Sequence, residues 1–311
     1  MKKTDEHIIT KALQGDLLSL ARILSKVENR CSELKLNKLM SKIYPHTGKA
    51  RVIGITGPPG AGKSTLIDRL VFHYRKLGKK VAVVAVDPSS PYTGGAVLGD
   101  RIRMQAHASD SGVFIRSLGT RGKRGGLSHA TQELVMVLDA ASFDVILVET
   151  AGVGQTELDI AKLAQTVVVV LVPESGDSIQ VMKAGLMEIA DLFVINKCDH
   201  NGADLLEREI LSIIEKKLWS TPVLKTAATG DIGIVELFRE LENHGKYLMA
   251  SGKLEEKRLE FLKTEIQDIL TEQLSLRIKK TLLSSRGKKL LSKLMHYTIN
   301  PYKVAAKIFK I

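Results

Sequence analysis

Residues 57–65 have the types and spacing that hold a phosphate group. They read GPPGAGKST and match the pattern G-x-x-x-x-G-K-[ST]. Glycines let backbone N–H groups turn towards a phosphate, and a helix that begins there adds positive potential at its amino end. In such a loop Lys63 reaches the β- and γ-phosphates and the Ser64 hydroxyl binds Mg²⁺. The segment therefore predicts a P-loop. Its expected nucleotide contacts are Gly57, Gly60, Ala61, Gly62, Lys63, Ser64 and Thr65.

Two acidic residues follow apolar runs that we interpret as strands. Asp87 ends the run 81–86, and Glu149 ends the run 145–148. The carboxyl ends of parallel strands meet at one edge of a sheet, where a carboxylate binds Mg²⁺ directly or through water. We therefore predict both acids beside the P-loop as metal ligands. Asp87 also has an alternative role, because Asp before Pro is a common turn former.

The segment 149–152, Glu-Thr-Ala-Gly, has the form that senses the γ-phosphate in GTPases. In that form a glycine amide, here that of Gly152, contacts the phosphate and the loop then moves. The acid is Glu where GTPases usually have Asp, and the glycines at 152 and 154 add flexible positions. The segment predicts a switch. It has no obvious group to position the attacking water, and Gln155 is the candidate.

Residues that could read the base follow the apolar run 192–195. The run leads into NKCD at 196–199, the pattern N-K-x-D. The carboxylate of Asp199 can accept both hydrogens of the N1 and N2 edge of guanine, and adenine would leave this acid unpaired at a cost of about 1–3 kcal/mol. Lys197 is expected to cover the base, and Asn196 to connect this loop to the P-loop. The preferred nucleotide is therefore GTP. A last base-contacting loop is expected at Thr226, Ala227 and Ala228.

The elements that must position these residues alternate between strand and helix. Nearly continuous apolar runs predict strands that are buried on both faces of a parallel sheet. Those runs lie at 52–55, 81–86, 145–148, 167–172 and 192–195, with a shorter one at 222–224. Helical patterns lie between them, for example at 66–77 and 127–141. The pattern predicts an α/β fold, a P-loop NTPase with a mostly parallel, doubly wound sheet and ligands at the carboxyl ends of the strands.

Helical extensions are expected on both sides of that sheet. Residues 1–47 show apolar residues at helical spacing, and after residue 246 the strand patterns stop and two apolar helical stripes follow. We predict an N-terminal helical extension at 1–47, a GTPase domain at 48–245 and a C-terminal helical arm at 246–311. The arm could fold back onto the domain or pair with a second copy.

Length and composition restrict the class of protein. The chain has 311 residues, of which 44% are hydrophobic and 26% charged, which predicts one large globular domain with extensions. No stretch approaches the ~20 apolar residues of a membrane span, and the first residues lack the apolar core of a signal peptide. A cytoplasmic protein without a membrane partner is expected. Cys31 and Cys198 are too few for a disulfide framework or a dedicated transition-metal site.

The net charge of +12 is concentrated in the C-terminal arm. Residues 246–311 contain fifteen Lys and Arg against six Asp and Glu, and so supply nine of the twelve surplus charges. No nucleic-acid-binding motif accompanies them, so no nucleic-acid partner is expected. A basic helix of this kind usually presents a solvated face or meets an acidic protein surface.

These motifs together resemble one family, the MeaB/ArgK-like GTPases, also labelled LAO/AO transport system kinases. The family belongs to the P-loop class that also contains the hydrogenase and urease metallochaperones. The glutamate at position 149 fits the family's motif, and the resemblance covers nearly all of residues 51–245. The motifs that carry it are GPPGAGKST at 57–65, DPSSPYTGGAVLGD at 87–100, RGKRGGLS at 121–128, ETAGVGQ at 149–155, ESGDSIQVMKAG at 174–185 and NKCD at 196–199.

The resemblance implies a slow GTPase that docks on an adenosylcobalamin-dependent acyl-CoA mutase, typically methylmalonyl-CoA mutase. There it gates cofactor delivery or protects the enzyme. The resemblance also implies a homodimer formed through the C-terminal arm and an additional switch at 174–185 that contacts the partner. The catalytic and Mg²⁺-binding residues that it implies are Lys63, Ser64, Asp87, Asp100 and Glu149.

Three alternatives use the same nucleotide site. A nickel metallochaperone would need a cluster of Cys and His ligands, of which Cys198 and His200 supply only two. A kinase linked to amino-acid transport would need a site for a protein acceptor. A scaffold that binds GTP without hydrolysing it would release no phosphate.

Overall fold

A seven-stranded parallel sheet is the centre of the computed structural model. Its strands are β1 Arg51–Thr56, β2 Val81–Asp87, β3 Val113–Gly119, β4 Val145–Thr150, β5 Thr166–Leu171, β6 Leu192–Asn196 and β7 Val223–Thr226. Their order across the sheet is β3-β2-β4-β1-β5-β6-β7, and every neighbouring pair is parallel. The predicted P-loop NTPase fold is confirmed. The structure describes residues 3–29, 33–87, 107, 109–119, 129–150, 152, 156–173, 185–214 and 219–309.

The edge strand β3 is absent from the predicted strands. Its residues are mostly half-buried, whereas β4, β5 and β6 are buried along their whole length. β3 carries Arg116, whose guanidinium pairs with Glu28 and donates to Ser25 Oγ at 3.2 Å. An edge strand with a paired cation has no continuous apolar run, so the rule that finds the central strands does not find this one.

Helices surround the sheet and continue beyond it. The N-terminal helices are α1 Lys3–Leu13, α2 Leu17–Glu28 and α3 Glu33–Ile43. Those between the strands are α4 Lys63–Lys76, α5 His129–Ala140, α6 Thr156–Leu163, α7 Leu186–Ile189 and α8 Ala203–Ile213. Those that follow the sheet are α9 Ile234–Ala250, α10 Lys253–Leu283, α11 Ser285–Met295 and α12 Pro301–Phe309. The chain divides into two compact units, Met1–Arg258 and Leu259–Ile311. None of the helices in the described part of the chain is both long and apolar enough to cross a membrane.

Apolar spacing and a polar cap produce helix α2, which covers the sheet near β3. Asp16 precedes the helix, and its carboxylate accepts from Ser19 N at 2.8 Å, which satisfies one free N–H of the first turn. Leu20, Ile23 and Leu24 lie on one face and are buried. Helix α2 contacts α5, so the N-terminal helices belong to the first unit.

The strand register aligns the carboxyl ends of the central strands. Ile55 of β1 is opposite Glu149 of β4, and Glu149 is in turn opposite Ala85 of β2. Asn196 and Thr226 end β6 and β7 and are opposite each other. The residues predicted to bind phosphate, metal and base therefore follow or end strands at the same edge of the sheet.

Helix α6 packs directly on β1 because the strand has a glycine at the contact. A Cβ atom at Gly54 would lie 2.5 Å from Ile160 Cγ1 and 2.9 Å from Ala164 Cβ. Both distances are shorter than carbon atoms tolerate, so a larger residue would displace the helix. The glycine thus sets how closely α6 approaches the strand that leads into the P-loop.

Polar contacts at the amino edge of the sheet hold the start of α10. Lys257 Nζ donates to Gln165 O at 2.7 Å and to the Asp191 carboxylate at 3.0 Å. Asp191 also accepts from Val167 N at 2.9 Å. His244 lies beside Asp191, and burial lowers the pKa of this histidine to about 4. The first turns of α10 are thus attached to the first unit, on the opposite edge from the predicted nucleotide site.

The second unit consists of the rest of α10 with α11 and α12. The turn between α10 and α11 is tight, since a Cβ atom at Gly287 would lie 2.1 Å from Thr281 O and 2.5 Å from Leu282 O. Ser284 caps α11 and accepts from Gly287 N at 3.2 Å. Leu290 and Val304 are its buried apolar residues.

We expect Gly54→Ala to lower the free energy of unfolding by about 1–3 kcal/mol, because the added methyl group overpacks the contact with α6. Urea-induced unfolding followed by the fluorescence of Trp219 would measure it. Combining Gly54→Ala with Ile160→Ala should cost less than the sum of the two single changes, since the truncation makes room for the methyl group.

The control for this experiment is Gly230→Ala, where the nearest atoms to an added Cβ lie at an ordinary 3.6 Å. This change should alter stability by no more than about 0.5 kcal/mol. Additive costs for Gly54→Ala and Ile160→Ala would contradict the proposed contact.

Candidate nucleotide-binding site

The predicted P-loop connects β1 to α4 and lies against two other loops. Gly57 has φ 137°, and a Cβ atom there would lie 2.0 Å from Val170 O of β5. Gly62, with φ 85°, precedes the first residue of α4, and its Cβ would lie 2.3 Å from Asn196 Nδ2. Both positions require glycine for two reasons. Each has a positive φ that other residues rarely adopt, and at each an added Cβ would collide with a neighbouring atom. Between them Gly60 is exposed and Ala61 buried, and Thr65 lies in the first turn of α4.

The lysine of the P-loop is buried against the loop itself. Lys63 is 6% exposed, and its Nζ donates to Gly57 O at 2.8 Å and to Pro58 O at 2.9 Å. The ammonium group is therefore held beside the amino end of α4, where backbone N–H groups and the helix dipole also favour an anion. A phosphate bound at this end would meet a positive charge that is already in position.

Ser64 and Glu149 join the P-loop to the end of β4. Ser64 Oγ donates to Glu149 Oε1 at 2.8 Å, and both side chains are buried. One residue further along, Thr150 Oγ1 donates to Thr56 Oγ1 at 2.9 Å. A hydroxyl and a carboxylate oxygen are the ligand types that Mg²⁺ prefers, and this pair fits such an ion.

Other predicted metal and switch residues lie at or beyond the limit of the described residues. Asp87 ends β2 at the same edge as Glu149, but its side chain lies outside them. Asp100 and Gln155 also lie outside them, as do the motif at 121–128 and residues 174–184 of the additional switch.

Gly152 is the described residue of the predicted γ-phosphate sensor. It has φ 77°, and a Cβ atom there would lie 2.3 Å from Gly57 O and 2.9 Å from Pro58 C. The backbone after β4 thus touches the backbone of the P-loop. If nucleotide binding moved one of these segments, this backbone contact would transmit the movement to the other.

The side chain of Asn196 connects the P-loop to both predicted base-contacting loops. Its Nδ2 donates to Ala61 O at 2.8 Å. Its Oδ1 accepts from Thr226 Oγ1 at 3.1 Å and from Ala228 N at 3.2 Å. The amide is buried and uses both of its ends, so its orientation is fixed by these contacts.

The remaining predicted base contacts lie around Asn196. Lys197 has φ 55°, an unusual conformation for a lysine that turns the chain sharply after β6. Cys198 N donates to Thr226 O at 3.0 Å, which holds the NKCD loop against the end of β7. The Asp199 side chain is 56% exposed, so it is accessible to a base. Ala227 is buried and its N–H donates to Ile232 O at 3.1 Å.

Glu157 belongs to this site and was not predicted from the sequence. It lies in the first turn of α6 and is 9% exposed. Burial raises the pKa of its carboxyl above the ordinary value, and the Lys63 ammonium opposes this rise. The sequence signal for it is weak, since an acid in the first turn of a helix is common on solvated helices as well.

A model of the family described as "Methylmalonyl Co-A mutase-associated GTPase MeaB" matches residues 20–282. The chain belongs to the MeaB family. The match includes the sheet and every described residue of the nucleotide site. It confirms the family resemblance, and the protein is therefore a P-loop GTPase that binds guanine nucleotide.

Relatives of this MeaB-family GTPase are similar over most of its length. A Pyrococcus horikoshii protein named as a GTPase is 46% identical over 312 residues, covering 98% of this chain and 97% of the relative. GTPase ArgK of Escherichia coli is 38% identical over 260 residues, covering 80% and 78%. The mouse protein named "Methylmalonic aciduria type A homolog, mitochondrial" is 36% identical over 214 residues, covering 66% of this chain and 52% of the relative.

Among solved structures, the crystal structure of a LAO/AO transport system kinase has the same fold. It superposes with a TM-score of 0.71 at 27% sequence identity, covering 100% of this chain and 98% of that one.

We expect Glu157→Gln to raise the free energy of unfolding at pH 7 and to raise it less at pH 4. A carboxyl whose pKa is higher in the folded state destabilises the protein when it is ionised. That cost disappears as the pH falls through the folded pKa, because the folded state then binds the proton. Gln has nearly the same shape and no charge, so urea-induced unfolding at the two pH values isolates this cost.

Asp159→Asn is the matched control for Glu157→Gln. Asp159 lies two residues further along α6, in a partly exposed pair with Lys162 at 2.6 Å. Its replacement should change stability by no more than about 1 kcal/mol. An equal gain from Glu157→Gln at both pH values would exclude the buried charge as the cause.

Proposed function

We propose that this MeaB-family GTPase hydrolyses GTP while docked on an adenosylcobalamin-dependent acyl-CoA mutase, and that the mutase is methylmalonyl-CoA mutase. Through this cycle it gates delivery of the cofactor to the mutase or protects the mutase. The observation that carries the proposal is the family match over residues 20–282, because the family is described as associated with that enzyme. The similarity to the mouse methylmalonic aciduria type A homolog supports the same partner.

The phosphates of GTP would bind at the amino end of α4. Lys63 is already held there by Gly57 O and Pro58 O, at 2.8 and 2.9 Å. On binding, its ammonium would exchange these carbonyls for β- and γ-phosphate oxygens and offset the charge that develops as water attacks the γ-phosphate in line. Gly152, which contacts the P-loop backbone, would detect whether the γ-phosphate is present.

We propose that Ser64 and Glu149 bind Mg²⁺ with Asp87 and Asp100. Ser64 Oγ and Glu149 Oε1 lie 2.8 Å apart, so their hydrogen bond would be replaced by bonds to the metal or to its waters. When bound, Mg²⁺ would neutralise part of the negative charge of the phosphates.

The guanine base would bind at the NKCD loop. Asp199 is exposed and can accept from the N1 and N2 edge of guanine, while Asn196 holds the loop at a fixed distance from the P-loop. Thr226 and Ala228 are tied to the same amide and would complete the base pocket. This arrangement favours GTP over ATP.

We also propose that hydrolysis is slow without the mutase. The candidate for orienting the attacking water, Gln155, lies outside the described residues, and the sequence offers no other obvious group. A partner that moves the switch segments into place would supply this function, as activating proteins do for other GTPases.

The proposal predicts that methylmalonyl-CoA mutase accelerates GTP hydrolysis by roughly tenfold or more, because completing a phosphoryl-transfer site has at least that effect. Release of inorganic phosphate from GTP, measured with purified chain and purified mutase, would check it. Lys63→Ala should bind GTP at least about tenfold more weakly, since it loses a charge-assisted contact of about 1.5–3 kcal/mol. Lys162→Ala, at an exposed lysine on α6, is the control and should behave as the parent.

Two results would refute this function. Rapid hydrolysis that does not respond to the mutase would separate the GTPase from the enzyme. Transfer of the γ-phosphate to a protein, in place of its release, would favour a kinase activity, as in the name of the similar LAO/AO transport system kinase.

We propose further that the protein is a homodimer formed through α10. Residues 259–272 contain four acids and one lysine, and residues 273–283 contain three basic residues and no acid. An antiparallel pair of these helices would place the acidic stretch 259–272 of each against the basic stretch 273–283 of the other. Large apolar side chains on this helix are exposed in the single chain and would be covered, among them Leu259, Ile266, Leu270, Leu274 and Leu283.

Charge exchange would test the antiparallel pair. Variant one, Glu265→Lys with Asp268→Lys, and variant two, Lys279→Glu with Lys280→Glu, should each dimerise about tenfold or more weakly, because like charges then face each other. An equimolar mixture should recover the dimer, since each variant supplies the charge that the other lacks. Sedimentation velocity would measure it. Full dimerisation of either variant alone would exclude this pairing.

A further inference from the structure

Helix α12 is a well-formed element near the C-terminal end of the chain. Its first residue is Pro301, which is favoured at the start of a helix because it has no N–H to leave unpaired. Asn300 caps it, accepting from Lys303 N at 2.9 Å through Oδ1. Val304 is 4% exposed and attaches one side of the helix to the second unit.

The side of α12 that faces away from Val304 is apolar and exposed. Tyr302 is 86% exposed and Phe309 is 79% exposed. Ala305 and Ala306 are also exposed and lie between them. The spacing i, i+3, i+4 and i+7 places all four on one face of the helix. Two large aromatic side chains separated by two small residues form a ridge with a shallow centre, which a groove on another protein can receive closely.

The surroundings of this face carry charge of one sign. Residues 284–311 contain seven Lys and Arg and no Asp or Glu. Lys303 and Lys307 are on α12 itself, one turn apart and both exposed. A second copy of this segment would bring seven more positive charges, so like charges oppose its pairing with itself. These charges favour an acidic surface as the complement of this segment.

We propose that the Tyr302–Phe309 face of α12 docks into an apolar groove rimmed by carboxylates on the mutase. The inference rests on the proposed function, because that function supplies the partner. It assigns partner recognition to a surface in the second unit, whereas the nucleotide residues lie in the first. Tyr302 and Phe309 would fill the groove, and Lys303 and Lys307 would pair with its acidic rim.

The test compares two double variants of the full chain for binding to purified methylmalonyl-CoA mutase by isothermal calorimetry. Tyr302→Ser with Phe309→Ser should raise the Kd about tenfold or more, because aromatic anchors carry much of the affinity of such interfaces. Lys303→Glu with Lys307→Glu should raise it similarly at low salt and remove its salt dependence. Basal GTP hydrolysis and thermal unfolding should not change, since all four side chains are exposed and lie outside the nucleotide site.

The control is Leu18→Ser with Leu77→Ser, which removes two exposed leucines of the first unit and should leave the Kd unchanged. If the parent chain does not bind the mutase, the proposed function fails and the inference with it. If the parent binds and the α12 variants bind equally well, the inference alone fails.

Two other outcomes would assign this face to a different occupant and overturn the inference. Loss of the dimer in the Tyr302→Ser, Phe309→Ser variant, seen by sedimentation velocity, would show that a second copy covers the face. Binding of the parent chain to vesicles of phosphatidylserine and phosphatidylcholine, lost in the same variant, would show that a membrane surface does.

Discussion

One buried amide sets the geometry on which the nucleotide site depends. Asn196 donates to the carbonyl of Ala61 in the P-loop and accepts from Thr226 and Ala228 beyond β7. The loops predicted to bind the phosphates and the base are therefore joined by one planar group with little rotational freedom. The parallel register makes this possible, because β1 and β6 both end at the same edge of the sheet. A nucleotide spanning the two ends meets a fixed distance between them.

The phosphate end is held by contacts that a bound nucleotide must replace. Lys63 donates to two loop carbonyls, and Ser64 donates to Glu149. These bonds satisfy buried polar groups, each of which would cost about 1–3 kcal/mol if it were unpaired. A bound phosphate and a bound metal would contact Lys63, Ser64 and Glu149, which are already in the site and hydrogen-bonded. Glu157 is buried nearby, close enough to Lys63 for their charges to interact.

The parts of the fold that were predictable from the sequence are those with a continuous or strictly spaced signal. Strands buried on both faces have a nearly continuous apolar run, with polar residues only at their ends, so β1, β2, β4, β5 and β6 are evident. β3 is not, because an edge strand that carries the paired Arg116 interrupts the apolar run. α12 lies within the predicted helical arm, but no separate helix is predicted there, because it has only nine residues and buries only Val304.

The residues of the candidate nucleotide site also divide into those with a spaced sequence motif and those without one. Motifs with fixed spacing identify Lys63, Ser64 and Asn196, because each of these residues is expected to act together with residues at set positions beside it in the sequence. Glu157 is near Lys63 through packing: it lies in the first turn of α6, and α6 packs on β1 at Gly54. Charge is also distributed unevenly along the chain. The residues predicted to bind nucleotide occupy a nearly neutral sheet domain, while most of the surplus of basic residues lies in the helices after it.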